Sequence, residues 1–252
     1  GYKNPEIISY SRINFNGSPT SKRNLLDLID RKIISEWDDP RLVTIRALRR
    51  RGILPEAIYN MALNVRMTLA STTIDWNMLA AENRKLLDKT ANRYFFVPDP
   101  IKVEVRNAPT RVVFLKLHPD FPERGERKQK VLGVFYVPSE DVEKMKGGDI
   151  FRFKDLYNVK IDAIDSTVLR VSFAGKDVIE NIPKVQWVTP TSIPAEVKVA
   201  GALVDKDENP LPNSIKIING VCEEDCKNIK VGDVVQFERF GFVIIESVSS
   251  SK

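Results

Sequence analysis

The spacing of apolar residues changes near residue 98, and this change constrains the fold more than any other feature of the sequence. Before it, apolar residues recur every three or four positions, which is the period of an amphipathic helix. After it, apolar and polar residues alternate as they do in half-buried strands. Pro98 and Pro100 stand at the transition and interrupt both kinds of element. The pattern predicts a helical first part and a β-rich second part.

The first part contains several segments with helical spacing. The first of them carries apolar residues at Leu25, Leu26, Ile29 and Ile33. Asp39 and Pro40 then predict an N-cap followed by proline at the first helical position, and Gly52 predicts the end of that helix. Pro55 begins a further helix, and Asp75 caps another.

The second part contains many short strands separated by turn signals. The strand candidates are 102–106, 112–116, 131–137, 150–154, 159–164, 168–173, 184–188, 195–202, 214–218, 233–239 and 242–248. Short strands at regular spacing favour antiparallel barrels or sandwiches. The number of strands suits two small barrels better than one. The expected fold class is a multidomain α and β protein, with a helical domain followed by two small antiparallel β-barrels.

Positive charge is concentrated in the first third of the chain. The whole sequence has 39 Lys and Arg against 34 Asp and Glu, and residues 1–93 hold 16 of the basic and 10 of the acidic residues. The remainder is nearly neutral. A basic segment beside a neutral one is typical of a protein that binds a polyanion. A solvated basic surface without any partner fits the charge alone equally well.

Several classes of site are not expected. Cys222, Cys226 and His118 are the only cysteines and the only histidine, so they cannot supply four zinc ligands, and no metal site is predicted. No Gly-rich phosphate loop motif occurs. No apolar run approaches the roughly 20 residues that span a bilayer, and the first residues do not resemble a signal peptide. We therefore expect a cytoplasmic protein without a membrane partner, in which a disulfide does not form.

Two stretches could contact phosphates. Ser21, Lys22 and Arg23 end a polar loop that leads into a helix, where an ammonium group and backbone N–H groups can face an anion. The alternative is an ordinary solvated loop. In the second stretch, Arg46, Arg49 and Arg50 share one helix face that suits a phosphate backbone. That face could equally pair with acids on a neighbouring domain.

These stretches also carry a resemblance to a known family. The segments Ser21-Lys22-Arg23, Trp37-Asp38-Asp39-Pro40-Arg41-Leu42 and Arg49-Arg50-Arg51-Gly52 resemble, in order and spacing, the class I glutamyl- and glutaminyl-tRNA synthetases. Further similar text lies at 74–76, 83–88 and 92–96. The segments 117–125 and 153–159 are similar to archaeal glutamyl enzymes, so the glutamyl reading is preferred to the glutaminyl one. The resemblance covers essentially the whole chain.

The resemblance implies a role for the loop. Ser21, Lys22 and Arg23 would form this chain's version of the mobile KMSKS loop, in which Lys22 stabilises the phosphates of ATP while the aminoacyl adenylate forms. The nucleotide-binding fold of the family and its HIGH signature would lie before residue 10 and are not in this sequence. ATP with Mg²⁺ is thus expected as the cofactor of the full-length enzyme. The 252 residues alone are expected to bind no cofactor and to charge no tRNA.

The resemblance also implies a division of labour in tRNA binding. Residues 1–97 would be a helical stem-contact region. Residues 98–125 with 190–252 would form a proximal anticodon-binding barrel, and 126–189 a distal one. The expected tRNA contacts are Arg41, Arg46, Arg49, Arg50, His118, Arg124, Lys144, Arg152 and Lys154. The expected partner is tRNA-Glu, with tRNA-Gln as a further candidate, and not DNA. A noncatalytic docking module for a tRNA amidotransferase is the alternative.

Overall fold

The protein is mostly β with few helices, and its chain divides into two compact units. A computed structural model describes residues 5, 7, 9–65, 69–165 and 167–249. Unit 1 is formed by residues 1–90 with 199–216, and unit 2 by residues 91–198 with 217–252. Within the described ranges, no helix is long and apolar enough to cross a membrane.

Unit 1 contains four helices and a small parallel pair of strands. The helices are α1 (Lys22–Asp30), α2 (Ile45–Arg50), α3 (Pro55–Val65) and α4 (Trp76–Leu87). The strands are β1 (Ile13–Phe15) and β2 (Thr72–Ile74). The predicted cap of α4 is confirmed, because the carboxylate of Asp75 accepts a hydrogen bond from the backbone N–H of Asn77 at 2.7 Å. The left-handed φ of 71° at Gly52 confirms the predicted end of α2.

The predicted start of the second helix is wrong. The helix α2 begins at Ile45, after Thr44, whose hydroxyl accepts a hydrogen bond from the N–H of Ala47 at 3.1 Å. Asp39 caps only a turn: its carboxylate accepts the backbone N–H of Arg41 at 3.0 Å and binds the guanidinium of Arg41, but no helix follows. Ile45, the first residue of the helix, is 67% exposed. The helix is therefore one and a half turns long rather than three.

Two apolar clusters hold unit 1 together. One lies between α3, α4 and β2, and its buried members are Leu48, Ala57, Met61, Ile74 and Leu79. The other combines α1 with the later chain segment, and its buried members are Leu25, Leu28, Ile34, Leu42, Ala47, Leu203 and Val204. The N–H of Leu203 donates to the carbonyl of Gly17 at 2.8 Å. A side chain at Gly17 would lie 2.6 Å from the Cβ of Ala202, so this close approach requires glycine.

Within the described residues, unit 2 consists of short strands, one short α-helix and two 3-10 helices, Pro122–Arg124 and Glu224–Asn228. The elements are β3 (Arg93–Tyr94), β4 (Phe96–Pro98), β5 (Pro100–Arg106), β6 (Arg111–Lys116), β7 (Glu126–Val131), β8 (Val134–Pro138), α5 (Ser139–Glu143), β9 (Ile150–Phe153), β10 (Asn158–Ile164), β11 (Val168–Phe173), β12 (Lys184–Val185), β13 (Ile193–Ala200), β14 (Ile215–Cys222), β15 (Val234–Phe237) and β16 (Gly241–Ile244). Strands β13 and β14 continue into the segment that belongs to unit 1.

One six-stranded sheet is nearly closed on itself. Its order is β12-β9-β10-β11-β5-β8, and the backbones of Tyr136 and Val188 exchange hydrogen bonds of 2.9 and 3.0 Å between its two ends. Its interior is aromatic, with Phe135, Phe153 and Trp187 fully buried. The expectation of purely antiparallel strands is wrong, because β5 pairs with β11, and β12 with β9, in parallel. The barrel-like character of the sheet is confirmed.

Two three-stranded sheets, β13-β14-β4 and β16-β15-β3, surround a second core. Its buried members are Tyr94, Phe96, Cys222, Cys226, Ile229, Val235 and Phe237. The strands β6 and β7 form a separate antiparallel hairpin. The single strand expected at 131–137 is two strands, because the chain turns at Gly133, where φ is 86°. The strand β7 was not expected.

Candidate nucleic-acid interface

The first turn of α1 presents two cations to solvent. Ser21 is the N-cap residue of α1, and its side chain makes no capping hydrogen bond. Lys22 and Arg23 occupy the first turn, where both are exposed and no acidic residue accompanies them. The preceding loop is fixed, because Ser18 is buried and its hydroxyl donates to the carbonyl of Arg41 at 2.6 Å. This arrangement places positive charge beside the N-terminus of a helix, which favours an anion.

The helix α2 has one buried side and presents arginines from the opposite side. Ala47 and Leu48 are buried, while Arg46 and Arg49 are exposed. Among the residues that the structure describes, neither arginine forms an ion pair. Arg50 is half-buried and lies 3.5 Å from the carboxylate of Asp38. Two of the three predicted arginines thus reach solvent with their charge available for a phosphate.

Arg41 is directed into unit 1 rather than outward. Its guanidinium binds both carboxylate oxygens of Asp39, the hydroxyl of Ser214 at 2.9 Å and the carbonyl of Ile33 at 3.0 Å. Its side chain is 12% exposed. Burial raises the pKa of Asp39, but the hydrogen bonds and charge of Arg41 outweigh burial and bring that pKa below its ordinary value. Arg41 therefore ties the α1–α2 connection to the later segment of the chain.

The loop between β6 and β7 uses its polar residues internally. His118 is 1% exposed, its Nδ1 accepts a hydrogen bond from the N–H of Asp120 at 3.1 Å, and its ring lies 4.7 Å from that of Phe121. The guanidinium of Arg124 lies over the ring of Phe121 and donates a hydrogen bond to the side-chain oxygen of Asn92 at 3.3 Å. These contacts shape the loop and leave the imidazole inaccessible to a large partner.

The three other predicted contacts in unit 2 also have internal partners. Lys144 is exposed, and its hydrogen bond with Glu140 at 2.6 Å raises the pKa of Lys144. Arg152 donates to Asn158 at 2.8 Å and to the carbonyl of Lys176 at 3.0 Å. Lys154 pairs with Glu238, and burial lowers the pKa of Lys154. RNA contact by the nine residues stays a prediction, and Arg46, Arg49 and Lys144 are the members whose side chains are exposed.

A buried charge network was not predicted. The Nε of Arg127 lies 2.6 Å from the Oε1 of Glu223, and these side chains are 2% and 1% exposed. Arg127 also approaches Glu238, which pairs with Lys154. Burial raises the pKa of Glu223 to about 7, although Arg127 acts in the opposite direction. The network holds the β6–β7 hairpin to the segment after β14.

An exposed hairpin face was also missed. We define the hairpin face as the outward side chains of the β6–β7 hairpin and the residue that follows it: Val112, Phe114, Lys116, Glu126, Lys128, Lys130 and Leu132. The alternation of apolar and polar residues predicted β6 but not β7. Its inward residues are Arg127, Gln129 and Val131, and because the first two are polar, no apolar period marks this strand. The Lys-x-Lys pattern at 128–130 was the one signal available.

No metal centre is evident within the described residues, because no group of three or more His, Cys, Asp or Glu side chains could hold an ion. Cys222 and Cys226 are free thiols, and both are buried. The thiol of Cys222 lies 3.7 Å from the carbonyl of Ile193. Both cysteines belong to the second core of unit 2.

Comparison with known proteins matches this organisation. Three family models described as tRNA synthetases class I (E and Q) align with the chain in order: the catalytic domain at residues 2–89, and two anticodon-binding domain models at 91–174 and 184–246. The first part of unit 1 thus matches the catalytic domain, whereas unit 2 up to residue 246 and the segment 199–216 of unit 1 lie within or between the anticodon-binding matches. The chain belongs to the class I synthetases for glutamate and glutamine.

Individual relatives are more specific. The chain is 41% identical over 257 residues to the glutamate–tRNA ligase of Pyrococcus horikoshii, and 38% identical over 257 residues to that of Pyrococcus abyssi. In both cases the alignment covers 100% of this chain and 43% of the relative. The glutamate–tRNA ligase of Methanocaldococcus jannaschii is 34% identical over 246 residues. The chain therefore spans less than half the length of the curated relatives it matches.

Proposed function

We propose that these 252 residues form the tRNA-binding part of a glutamate–tRNA ligase, which attaches glutamate to tRNA with ATP in the cytoplasm. The observation that carries the proposal is the similarity of the whole chain to archaeal glutamate–tRNA ligases at 34–41% identity. The glutaminyl alternative is weaker, since these relatives are all ligases for glutamate. No observation favours docking to an amidotransferase. The proposed partner is tRNA-Glu, with tRNA-Gln as a second substrate to be tested.

The two units are proposed to bind different parts of the tRNA. Residues 1–97 would contact the stem through Arg46 and Arg49, whose charges face solvent. The proximal barrel (98–125 with 190–252) and the distal barrel (126–189) would bind the anticodon. The matches to anticodon-binding domain models support this assignment. Phosphate contacts by arginine position a nucleic acid without reading its sequence, so unit 1 would supply affinity and the barrels would supply discrimination.

The loop at Ser21 is proposed to serve the ATP site. ATP with Mg²⁺ would supply a triphosphate, from which the adenylyl group passes to the glutamate carboxylate while pyrophosphate leaves. Lys22 and Arg23 fit such a group, because both are exposed in the first turn of α1 and no carboxylate occupies that turn. Their charge would stabilise negative charge on the phosphates. Because the remaining part of the relatives' length is not in this sequence, the 252 residues alone are proposed to bind tRNA and not to charge it.

Salt-dependent tRNA binding tests the proposal. The chain is titrated against a tRNA-Glu transcript by filter binding at several salt concentrations. Each phosphate contact releases counterions, so the affinity should fall steeply with salt. The double variant Arg46→Ala with Arg49→Ala should weaken binding, and should reduce the slope of log affinity against log salt by roughly two.

The matched control is Arg84→Ala with Lys85→Ala, which removes the same charge from the last turn of α4. This control should keep the wild-type slope. An equal loss in both double variants would mean that net charge alone governs binding. Absence of tRNA affinity at low salt would overturn the proposal. Glutamylation of tRNA by the 252-residue chain would overturn the claim that it is inactive alone.

A further inference from the structure

The β6–β7 hairpin has two chemically different faces. In its register, Phe114 lies opposite Lys128, and Val112 lies opposite Lys130. These four side chains point away from the core, since every second residue of each strand is exposed. Directly opposed side chains in an antiparallel pair are close neighbours. An aromatic ring and two ammonium groups are therefore presented together.

The inward face anchors the hairpin firmly. Val113 and Leu115 are buried in the larger core of unit 2. Arg127 forms the buried ion pair with Glu223, and Gln129 donates to Asp225 at 2.8 Å. Arg127 and Gln129 are thus fixed by partners far along the chain, and the third inward residue, Val131, is fully buried in the larger core. The outward side chains stand on a rigid strand pair, and a ligand that binds them need not order the backbone.

The hairpin face exposes apolar surface that nothing in the described structure covers. Phe114 is 59% exposed, Val112 40% and Leu132 61%. Within residues 69–165 and 167–249, the ring of Phe114 contacts no other ring and no cation. A contiguous exposed apolar patch rimmed by polar groups marks an interaction site more often than an isolated exposed residue does.

The charge of the face selects the chemistry of the occupant. Lys116, Lys128 and Lys130 are exposed, and none has an ion pair among the described residues. Glu126 lies opposite Lys116 and is the carboxylate of the same face, so the face keeps a surplus of positive charge. A flat ring among lysines matches a nucleobase attached to phosphates, because the base stacks while the ammonium groups approach the backbone.

We propose that the hairpin face binds an unpaired stretch of RNA, with one base stacked on Phe114 and adjacent phosphates held by Lys128 and Lys130. The proposal rests on the proposed function, since it names a further surface by which the chain would hold its tRNA. An unpaired base is required because a paired base does not expose its face to a side chain. The surface is distinct from the nine tRNA contacts expected from the sequence.

Substitutions at Phe114 separate stacking from simple apolar contact. Phe114→Leu keeps an apolar side chain but removes the ring, whereas Phe114→Trp keeps a ring that can stack. Affinity is measured for a tRNA-Glu transcript and for a short single-stranded RNA. Phe114→Leu should bind both RNAs roughly 5- to 100-fold more weakly, and Phe114→Trp should bind them at least as well as wild type. A blunt RNA duplex of equal length should be bound equally by all three proteins.

The lysines are tested by salt dependence. Lys128→Ala with Lys130→Ala should reduce the slope of log affinity against log salt by roughly two. Phe114→Leu should leave that slope unchanged, because it removes no charge. The control pair Lys160→Ala with Lys198→Ala removes two exposed lysines from other strands and should keep the wild-type slope and affinity.

Circular dichroism first verifies that every variant is folded, and Phe114→Trp provides a folded reference at the same position. If wild type binds tRNA and Phe114→Leu binds equally well, the stacking proposal is overturned while the proposed function stands. A second outcome also overturns the stacking proposal. If Phe114→Leu keeps its RNA binding but loses a protein partner that wild type binds, the hairpin face is a protein interface. If wild type binds no RNA, both proposals fail.

Discussion

The arginines of α2 in unit 1 and Arg127 in unit 2 show two opposite uses of a basic side chain. In unit 1, Arg46 and Arg49 project from a short helix without ion pairs in the described structure. In unit 2, Arg127 is almost fully buried against Glu223, and Lys154 pairs with Glu238. Arginine thus serves as an exposed charge on α2 and as an internal support at Arg127. Each unit also contains the other kind, since Arg41 of unit 1 is paired internally and the lysines of the hairpin face in unit 2 are exposed.

This difference shows why a count of charges does not locate a binding surface. A charge that has been removed from water must be paired, and its partner then cancels its field. Unit 2 is nearly neutral overall, yet its outward hairpin lysines remain unpaired while its most buried arginine is compensated. The electrostatic footprint depends on which cations keep access to solvent. Substitutions that distinguish a cation that stabilises the fold from a cation that binds a ligand test this statement.

The largest expected effect is loss of stability in Arg127→Met. Removing one partner of a buried ion pair leaves Glu223 buried without its main counter-charge, which typically costs about 3–5 kcal/mol of unfolding free energy. Urea unfolding measures this loss. The matched control is Lys128→Met, the next residue on the same strand, which is exposed and should change stability by less than about 0.5 kcal/mol. Similar losses in both variants would remove the contrast between support and surface.

The second effect concerns pH. Burial raises the pKa of Glu223 to about 7, above its ordinary value of 4.5. A raised pKa means that the folded state holds the proton more tightly than the unfolded state. The associated stability is complete below pH 4.5 and is lost as the pH rises through 7. The loss over this window is on the order of 3 kcal/mol.

Glu223→Gln should remove this component, so its unfolding free energy should depend less on pH between pH 5 and pH 8, as followed by urea unfolding at each pH. The exposed Glu126→Gln on the same hairpin is the control and should retain the wild-type profile. Identical profiles for wild type and Glu223→Gln would show that Glu223 stays ionised throughout, held by Arg127.

A smaller effect is expected in unit 1 from Thr44→Ala. Thr44 caps α2 by accepting the N–H of Ala47, and losing such a cap costs about 1 kcal/mol. Because α2 has six residues, fraying at its start should also weaken tRNA binding. Thr44→Ser keeps a capping hydroxyl and should restore both properties. Thermal unfolding and filter binding measure the two readouts, and an undisturbed affinity in Thr44→Ala would show that the arginines do not depend on the cap.

The smallest effect is the change in stability caused by the double substitution Arg46→Ala with Arg49→Ala. Exposed side chains without ion pairs contribute little, so the unfolding free energy should change by less than about 0.5 kcal/mol. Urea unfolding provides the measurement. A loss above about 1 kcal/mol would mean that these arginines support the fold, and the contrast between the units would disappear.

The sequence predicted local structure where one residue type determines it. Asp75 and Pro55 marked helix starts, Gly52 marked a helix end, and the alternation at 168–173 marked β11 with the correct bounds. Asp39 misled because its carboxylate accepts the N–H of Arg41 as an N-cap would, yet the chain makes only a turn after it. The helix begins later, at Ile45, with Thr44 as its N-cap.

Long-range pairing lay beyond the sequence. The parallel pairing of β5 with β11 joins residues more than sixty positions apart, and alternation is the same for either strand direction. The strand β7 was missed because Arg127 and Gln129 replace apolar residues on its inward face. Their partners, Glu223 and Asp225, are about a hundred positions away. The sequence of β7 alone therefore could not identify which polar residues are buried.

Unit 1 is completed by the segment 199–216, which follows residues 91–198 in the chain. During synthesis, the ribosome makes α1 long before it makes Leu203 and Val204, which fill the cluster beside that helix. The Gly17 loop forms its hydrogen bonds only after this later segment has been made, since the carbonyl of Gly17 accepts from the N–H groups of Leu203 and Val204. A nascent chain can therefore close the loop that presents Lys22 only after residues 91–198 have emerged, and premature release would leave Leu25 and Leu28 exposed to chaperones.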